Sequence, residues 1–488
     1  MTPWERRDTR IAAALAALAF AARLVQASFP RIVGADGPQF ILTAMEAWHG
    51  DWATGLRDGI HPGYPLTILL FAKMLGSFPA GGALSSVLFG SLAVVPLFAI
   101  ARDMVGRRAA TVAGLLLACI PYFIVEHSEV MSEGLFHFLY ATSLALAWRG
   151  ATRASPTAYA LCGFVGGLAY LTRPEGVYCA AAQVGLTAMA LAAEKRWRIA
   201  AFSLGALAIW AAVAAPLLVW YRAETGRWTV TKRGSVIRAM QTFETKPATA
   251  PIPGAVTTEH GWGYAIRRCL WQIGRTTMWV VLAFAVAGAA LARGRLRPLA
   301  AAFLACLVVG YVGPPVMAQA NGYPLSHRYV MPSVMFMLPF AGIAWAAAVD
   351  LASRRWEPRK VAIAASAALG VLAVAGLVRG VHPREEKGWA VRDTAAWLVG
   401  QGALDTPVYA SSRTVGVYVG RRPERIYPAD DFLSTFEAPP GAFVVVAEAQ
   451  WDRNNPAWRA HLERRHRLVA RFPADGVTAL DRFSVYRR

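Results

Sequence analysis

The chain has 488 residues, 56% of them hydrophobic and 16% charged, against roughly 25% charged in an average soluble domain. Lys and Arg number 50 against 30 Asp and Glu, a net charge of +20. The apolar residues run in long blocks, several close to the ~20 residues that cross a 30 Å hydrocarbon core, which excludes an ordinary soluble globule. The basic residues sit in the short segments between blocks, which argues against nucleic acid as a partner and for a membrane-orientation signal.

In chain order, Arg6, Arg7 and Arg10 precede the first block, Ile11–Ala27. No small-residue cleavage site follows it, so it is expected to remain as a first span (11–28) rather than leave as a signal peptide. Residues 29–79 then lie outside. Within them Pro65–Ser77 is apolar but short and carries Lys73. It reads as a re-entrant or interfacial helix, because a crossing there would put Arg102, Arg107 and Arg108 on the outer side. Further spans are expected at 81–101, 109–126, 132–149, 156–171, 177–193, 199–221, 270–292, 298–318, 329–350 and 361–379, about eleven in all. Basic residues at Arg102/Arg107/Arg108, Arg149/Arg153, Lys195/Arg196/Arg198, Arg293/Arg295/Arg297 and Arg354/Arg355/Arg359/Lys360 then stay cytoplasmic with the N-terminus. Residues 29–79 and 222–268 form long outer loops, the second holding Lys232, Arg233, Arg238 and Lys246 before a Pro/Ala/Thr stretch to Pro253.

The organisation expected is a membrane module over 1–380 and a soluble extracytoplasmic α/β domain over 381–488. In that tail Trp389–Val399 and Trp458–Arg467 read as helices. Pro407–Ala410, Val415–Val419, Ala442–Ala447 and Val477–Tyr486 read as strands. Five cysteines, Cys119, Cys162, Cys179, Cys269 and Cys306, lie in or beside apolar blocks without metal-ligand spacing, so no disulfide framework and no metal site is expected.

Five polar features interrupt this apolar chain. Asp36 follows the first span; it is either the cap of a helix starting there or a general base. His61, in His61-Pro-Gly-Tyr-Pro65, is a turn residue or a hydrogen-bond donor to an interfacial phosphate. Glu126, Glu129 and Glu133 are spaced i, i+3, i+7, which lines them on one face of a helix, with His137 one turn beyond Glu133. Glu133 enters an apolar run, which is costly unless it faces a partner or a wet cavity. Arg173 and Glu175 form either a local ion pair or, through Arg173, a site for an anionic head group. His327, Arg328 and Tyr329 open a late span and can hydrogen-bond a phosphate, although Tyr329 also suits an aromatic belt. Under the threading above all five lie at the outer boundary, and that convergence argues for one site.

The order Asp36-Gly-Pro-Gln-Phe40, Gly50-Asp-Trp52, His61-Pro-Gly-Tyr-Pro-Leu66, Lys73-Met-Leu-Gly76, Arg107-Arg108, Ser132-Glu133, Leu171-Thr-Arg-Pro174 and Arg328-Tyr329 resembles the GT-C glycosyltransferases. The protein O-mannosyltransferase and lipid A aminoarabinose transferase group (glycosyltransferase family 39-like) is the nearest likeness. The resemblance covers about residues 1–350 well and the tail loosely. It implies an α-helical polytopic GT-C-like membrane protein that takes a sugar from a polyprenyl-phosphate donor at the outer face of the inner membrane, with inversion. It puts Asp36 and Glu133 in catalytic positions, and His61, Arg173, His327, Arg328 and Tyr329 near the donor phosphate. Partners implied are an isoprenoid-phosphate sugar donor, a lipid, glycan or protein acceptor, and membrane lipids, with no cofactor. Two departures stand out: Gly37 replaces the second acid of the family's usual pair, and Pro62-Gly63 its Pro-Pro. These weaken any expectation of a metal. The competing reading is a transporter or flippase of a lipid-linked sugar, which would hold its polar groups near the bilayer midplane.

Overall fold

In the computed structural model the described residues are 4–29, 32–34, 36–194, 197–232, 261–293, 296–320, 325–383, 389–426, 435–448, 451–452, 457–473 and 482–488. Most of the chain is helical. The first helix, α1 (Arg6–Ser28), starts with the Glu5 N–H donating to Asp8 Oδ2 at 3.0 Å. The connection to the next long span is built of helices: α2 (Gly37–Trp48), the short α3 (Trp52–Leu56) and α4 (Gly63–Leu75). At 13 residues α4 reaches only about 20 Å, too short to cross a bilayer.

A bundle follows: α5 (Phe78–Leu92), α6 (Val94–Val105), α7 (Arg107–Cys119), α8 (Pro121–Glu126), α9 (Glu133–Arg153), α10 (Pro156–Thr172), α11 (Val177–Glu194) and α12 (Arg198–Thr225). Proline marks the starts of α8 and α10, where a missing N–H costs nothing, and Ser155 caps α10 by accepting from the Ala158 N–H. After 233–260, which lie outside the described residues together with Arg233, Arg238 and Lys246, come α13 (Trp262–Thr276), α14 (Val280–Leu291), α15 (Pro298–Ala320), α16 (Met331–Ala352) and α17 (Pro358–Gly380). Close helix crossings occur where glycine removes the side chain. A Cβ at Gly163 would strike the Ala206 carbonyl, and one at Gly342 the Ala109 carbonyl.

Among the described residues, seven helical segments can cross a membrane by length and composition: Arg6–Ser28, Phe78–Val105, Pro174–Ala193, Arg198–Thr225, Pro298–Ala320, His327–Ala352 and Pro358–Gly380. The expected span at 270–292 is not straight. Its helices α13 and α14 meet at 106°, and Met278 and Trp279 at the corner both have positive φ. Hydropathy reads the apolar run but not the corner, so the expected span is a bent pair of helices. The spans expected at 109–126, 132–149 and 156–171 correspond to α7 with α8, α9 and α10. Cys119 ends α7 just before Pro121, and α10 has 17 residues.

The tail is α/β, with helices α18 (Trp389–Gly400), α19 (Arg413–Val419) and α20 (Trp458–Glu463). Its strands are β1 (Val408–Ala410), β2 (Glu424–Arg425), β3 (Phe443–Ala447), β4 (Arg467–Phe472) and β5 (Phe483–Arg487), in the sheet order β2-β1-β3-β5-β4. Strand β1 runs parallel to β2 and β3, and β5 is antiparallel to β3 and β4. Alternate residues of β3 face two separate cores. Phe443 and Val445 pack with α18 and α19, while Val444 and Val446 pack with Trp451, Trp458 and Leu462. Both faces being covered explains the unbroken apolar run of β3. The expected strand at Val415–Val419 is instead helix α19, started by Ser412 accepting from the Thr414 N–H. The expected helix Trp458–Arg467 stops at Glu463, and Arg467 opens strand β4.

Candidate active site

Asp36 stands just before α2, yet its carboxylate makes no capping hydrogen bond to that helix. Instead Oδ2 accepts from Arg328 Nη1 at 3.1 Å, across 292 residues of sequence. Gly37 lets the start of α2 press against the Val130 turn, since a Cβ there would lie 2.9 Å from Val130 O. The same Arg328 nitrogen lies 3.6 Å from Glu133 Oε1. Glu133 heads α9 and is 2% exposed, and the same Oε1 accepts from Arg173 Nη1 at 2.8 Å. Its second oxygen, Oε2, is buried and has no hydrogen-bond partner among the described residues. Arg173, at the end of α10, also donates to Ser132 Oγ at 3.1 Å and pairs with Glu175 at 2.9 Å. The local ion pair with Glu175 therefore forms, and it extends to Glu133 and Ser132. A second strand of the network joins His327 Nε2 to Glu126 Oε1 at 2.8 Å, with the Tyr122 ring against His327 and Arg275 donating to the Tyr122 hydroxyl at 2.9 Å.

The structure thus joins Asp36, Arg328, Glu133 and Arg173 in one line of charges, with His327 beside it through Glu126. Asp36 is the open member, with 39% of its side chain exposed. Tyr329 is also exposed, next to Arg328 in the short 3-10 turn His327–Val330. His61 is placed differently. It is 3% exposed, its Nδ1 lies 2.6 Å from the Tyr170 carbonyl, and its ring meets the edges of Tyr170 and Tyr221. A surface turn residue it is not. Lys232 lies over the Trp220 ring and pairs with Glu224 at 3.2 Å.

The expected single helical face of Glu126, Glu129 and Glu133 does not form. Glu126 ends α8, Glu133 begins α9, and a turn separates them. The two acids meet the site from different helices because the chain reverses between them. Among the described residues no group of three or more His, Cys, Asp or Glu side chains is arranged to hold a metal ion.

Two polar features escaped the sequence reading. Beneath the site, fully buried Arg23 donates to the carbonyls of Ala19, Leu117 and Ala118 and, at 3.4 Å, to His127 Nδ1. His127 Nε2 in turn lies 2.8 Å from His137 Nδ1. An arginine inside an apolar span is costly, and that was the signal available in the sequence. The other is a set of bonds from the tail to the loop that carries Asp36. Arg413 reaches Gln39 at 2.9 Å and Asp58 at 2.7 Å, and Arg422 reaches Glu46 at 2.5 and 2.8 Å and Asp58 at 2.9 Å. Burial lifts the Glu46 carboxyl above its ordinary range, and the Arg422 hydrogen bonds oppose the shift.

At the opposite end of the helices the charges are of another kind. Asp8 is wholly buried and is held by Arg102 at 3.0 Å and Arg107 at 2.5 Å, and Arg107 also meets Glu5 at 2.7 Å. Arg108 pairs with Asp350 at 3.3 Å.

Residues 61–220 match the family described as dolichyl-phosphate-mannose-protein mannosyltransferase. That stretch holds His61, Glu126, Glu133 and Arg173 but neither Asp36 nor Arg328. No curated protein matches the chain. Among solved structures, ArnT from Cupriavidus metallidurans bound to undecaprenyl phosphate is 14% identical with a TM-score of 0.67, each chain being 97% covered. Its apo state is 15% identical with a TM-score of 0.66. The archaeal oligosaccharyltransferase AglB from Archaeoglobus fulgidus, in complex with an inhibitory peptide and a dolichol-phosphate, is 12% identical with a TM-score of 0.63, covering 93% of this chain and 71% of that one. At these identities the likeness is one of fold, and it spans the bundle and the tail together. The chain is a multi-pass membrane protein with the fold of the GT-C superfamily of membrane glycosyltransferases.

Proposed function

We propose that this protein is a glycosyltransferase that moves a sugar from a polyprenyl-phosphate donor to an acceptor at the outer face of the inner membrane. An acceptor O–H or N–H approaches Asp36, and the acceptor atom attacks the anomeric carbon as its proton passes to the Asp36 carboxylate. The bond from the anomeric carbon to the phosphate oxygen breaks on the opposite face, which inverts the configuration, and the electron pair leaves with the polyprenyl phosphate. Arg328 and Arg173 supply fixed positive charge for that leaving phosphate, with His327 and Tyr329 at its edge. Pre-set cations of this kind stabilise charge that develops in the transition state. Glu133 holds both guanidiniums from below, and its second carboxylate oxygen is available to a hydroxyl of the sugar. His61 supports the turn behind Arg173 through the Tyr170 carbonyl.

The observation that carries this reading is the Arg328–Asp36 bond at 3.1 Å, which pairs an open carboxylate with an arginine anchored on a buried acid. The fold shared with ArnT, seen there with undecaprenyl phosphate, supports an isoprenoid-phosphate donor. Sidedness rests on the basic residues collected at the other end of the bundle. A transporter would hold its substrate near the midplane, whereas this network gathers at one end. The test is transfer from a defined polyprenyl-phosphate sugar by detergent-solubilised protein, with no gradient. Asp36→Asn should lower kcat by about 10²–10⁴-fold, the range for loss of a positioned base. A folded Asp36→Asn protein with native kcat would remove Asp36 as the base. Failure to consume any lipid-linked sugar would remove the reaction class.

A further inference from the structure

The loop that carries Asp36 is gripped on both flanks by the tail. Ahead of Asp36, the Val33 N–H donates to the Tyr418 hydroxyl at 3.1 Å, and Ile32 packs on the tail's core. Behind it, Arg413 donates to Gln39 Oε1, one helical turn along α2. Further on, Arg422 grips Glu46 with two N–H groups, and both arginines meet on Asp58. Arg413 is the first residue of α19 and Arg422 lies two residues past its Gly420 cap, so one short helix carries a cation at each end. These are not solvated surface pairs: the Arg422 and Glu46 side chains are 18% and 14% exposed, and the Arg–carboxylate contact is bidentate. None of the tail's described side chains is bonded to Asp36 itself. Its described partner is Arg328, from the far end of the bundle sequence.

A carboxylate that must meet an acceptor within hydrogen-bond reach depends on how its backbone is held. Residue 36 immediately precedes a helix that begins with glycine and proline, so the placement of that helix start sets where the carboxylate stands. The Val130 turn blocks one side of that start and the tail holds the rest. We infer that the C-terminal α/β unit is a positioning element of the active site, in which Arg413, Arg422 and Tyr418 fix the stance of the Asp36 helix without touching substrate. This rests on the reading of Asp36 as the base. Arg413 and Arg422 are therefore positioning residues, and their substitution acts on turnover rather than on donor capture.

The experiment uses the full-length protein, with kcat expressed per donor-binding-competent molecule and the lipid-linked sugar as the varied substrate. Arg413→Ala/Arg422→Ala should lower kcat by about 10–100-fold, the scale for a small misplacement of a reacting group, with the donor KM within about twofold of native. Arg413→Lys/Arg422→Lys, which keeps the charges, should recover part of that loss. In an Asp36→Asn background the alanine pair should cost little more, because both changes act through one group. Native kcat in the alanine pair, or a loss that vanishes once corrected for binding-competent protein, would overturn the inference while leaving a dead Asp36→Asn protein to uphold the base. Native kcat in Asp36→Asn alone would instead remove the base, and with it the route by which the clamp acts. A full further loss in the Asp36→Asn background would likewise reject action through Asp36.

Discussion

The two ends of the helical bundle are both charged, but they use charge differently. At the basic end Asp8 is wholly buried and surrounded by Arg102, Arg107 and the Glu5 N–H, so its oxygens are committed to the protein. At the other end the charges form an open line: Arg173 and Arg328 share Glu133, and Asp36 closes the line with much of its side chain accessible. The first arrangement ties α1 to α6 and α7. The second leaves the Asp36 carboxylate partly open to solvent. A closed set of ion pairs stabilises, whereas a buried anchor with an exposed end is equipped to bind and react.

Substitutions at the two ends should therefore fail in different ways. Beyond the loss expected for Asp36→Asn, Arg328→Lys gives the largest effect at the open end. A lysine carries the charge but not the reach and fixed N–H directions by which the single nitrogen Nη1 of Arg328 meets both Asp36 and Glu133, so kcat should fall by about 10²-fold while the melting temperature hardly moves. Steady-state transfer and thermal unfolding on the same preparation check both parts. Asp8→Asn should reverse the pattern. It removes the buried charge shared by Arg102 and Arg107, which keep Asp103 and Glu5 as partners, and should cost on the order of 1–3 kcal/mol, less than a dry ion pair because this end of the bundle meets water. Tryptophan fluorescence on heating would record a fall of several degrees, with kcat per folded molecule retained. The smallest effect is expected for Arg108→Ala. Arg108 and Asp350 are 83% and 60% exposed, and such pairs contribute little, so neither melting temperature nor transfer should change measurably. If Asp8→Asn lowered turnover in folded protein as strongly as Arg328→Lys, the division between the two ends would fail.

Part of the site was legible because a membrane chain must justify each polar residue. Asp36, Glu133, Arg173 and Arg328 interrupt apolar sequence, and the positions of the basic loops give them a common side. The bonds among them were not legible, since helix spacing relates residues a few positions apart and these partners lie 40 and 292 positions apart. Periodicity also misled where the chain turns. It aligned Glu126 with Glu133 on a helix that the structure interrupts, and it read Val415–Val419 as a strand because a short apolar run fits either period. Of the two readings of His61, the surface turn residue suited its His-Pro-Gly sequence but fails, because Tyr170 and Tyr221 from distant helices cover the ring.

What the sequence determined by itself is what the solvent dictates: long apolar blocks that belong in lipid, basic loops collected at one end, and a polar α/β tail with its own alternating strands. Local composition is enough for that, because burial of apolar surface and the cost of burying charge act on each segment separately. Tertiary structure alone decided which charges meet, where the helix at 278–279 turns its corner, and that two arginines of the tail hold the loop bearing Asp36. Those outcomes depend on packing between segments far apart in the chain, which no local pattern encodes.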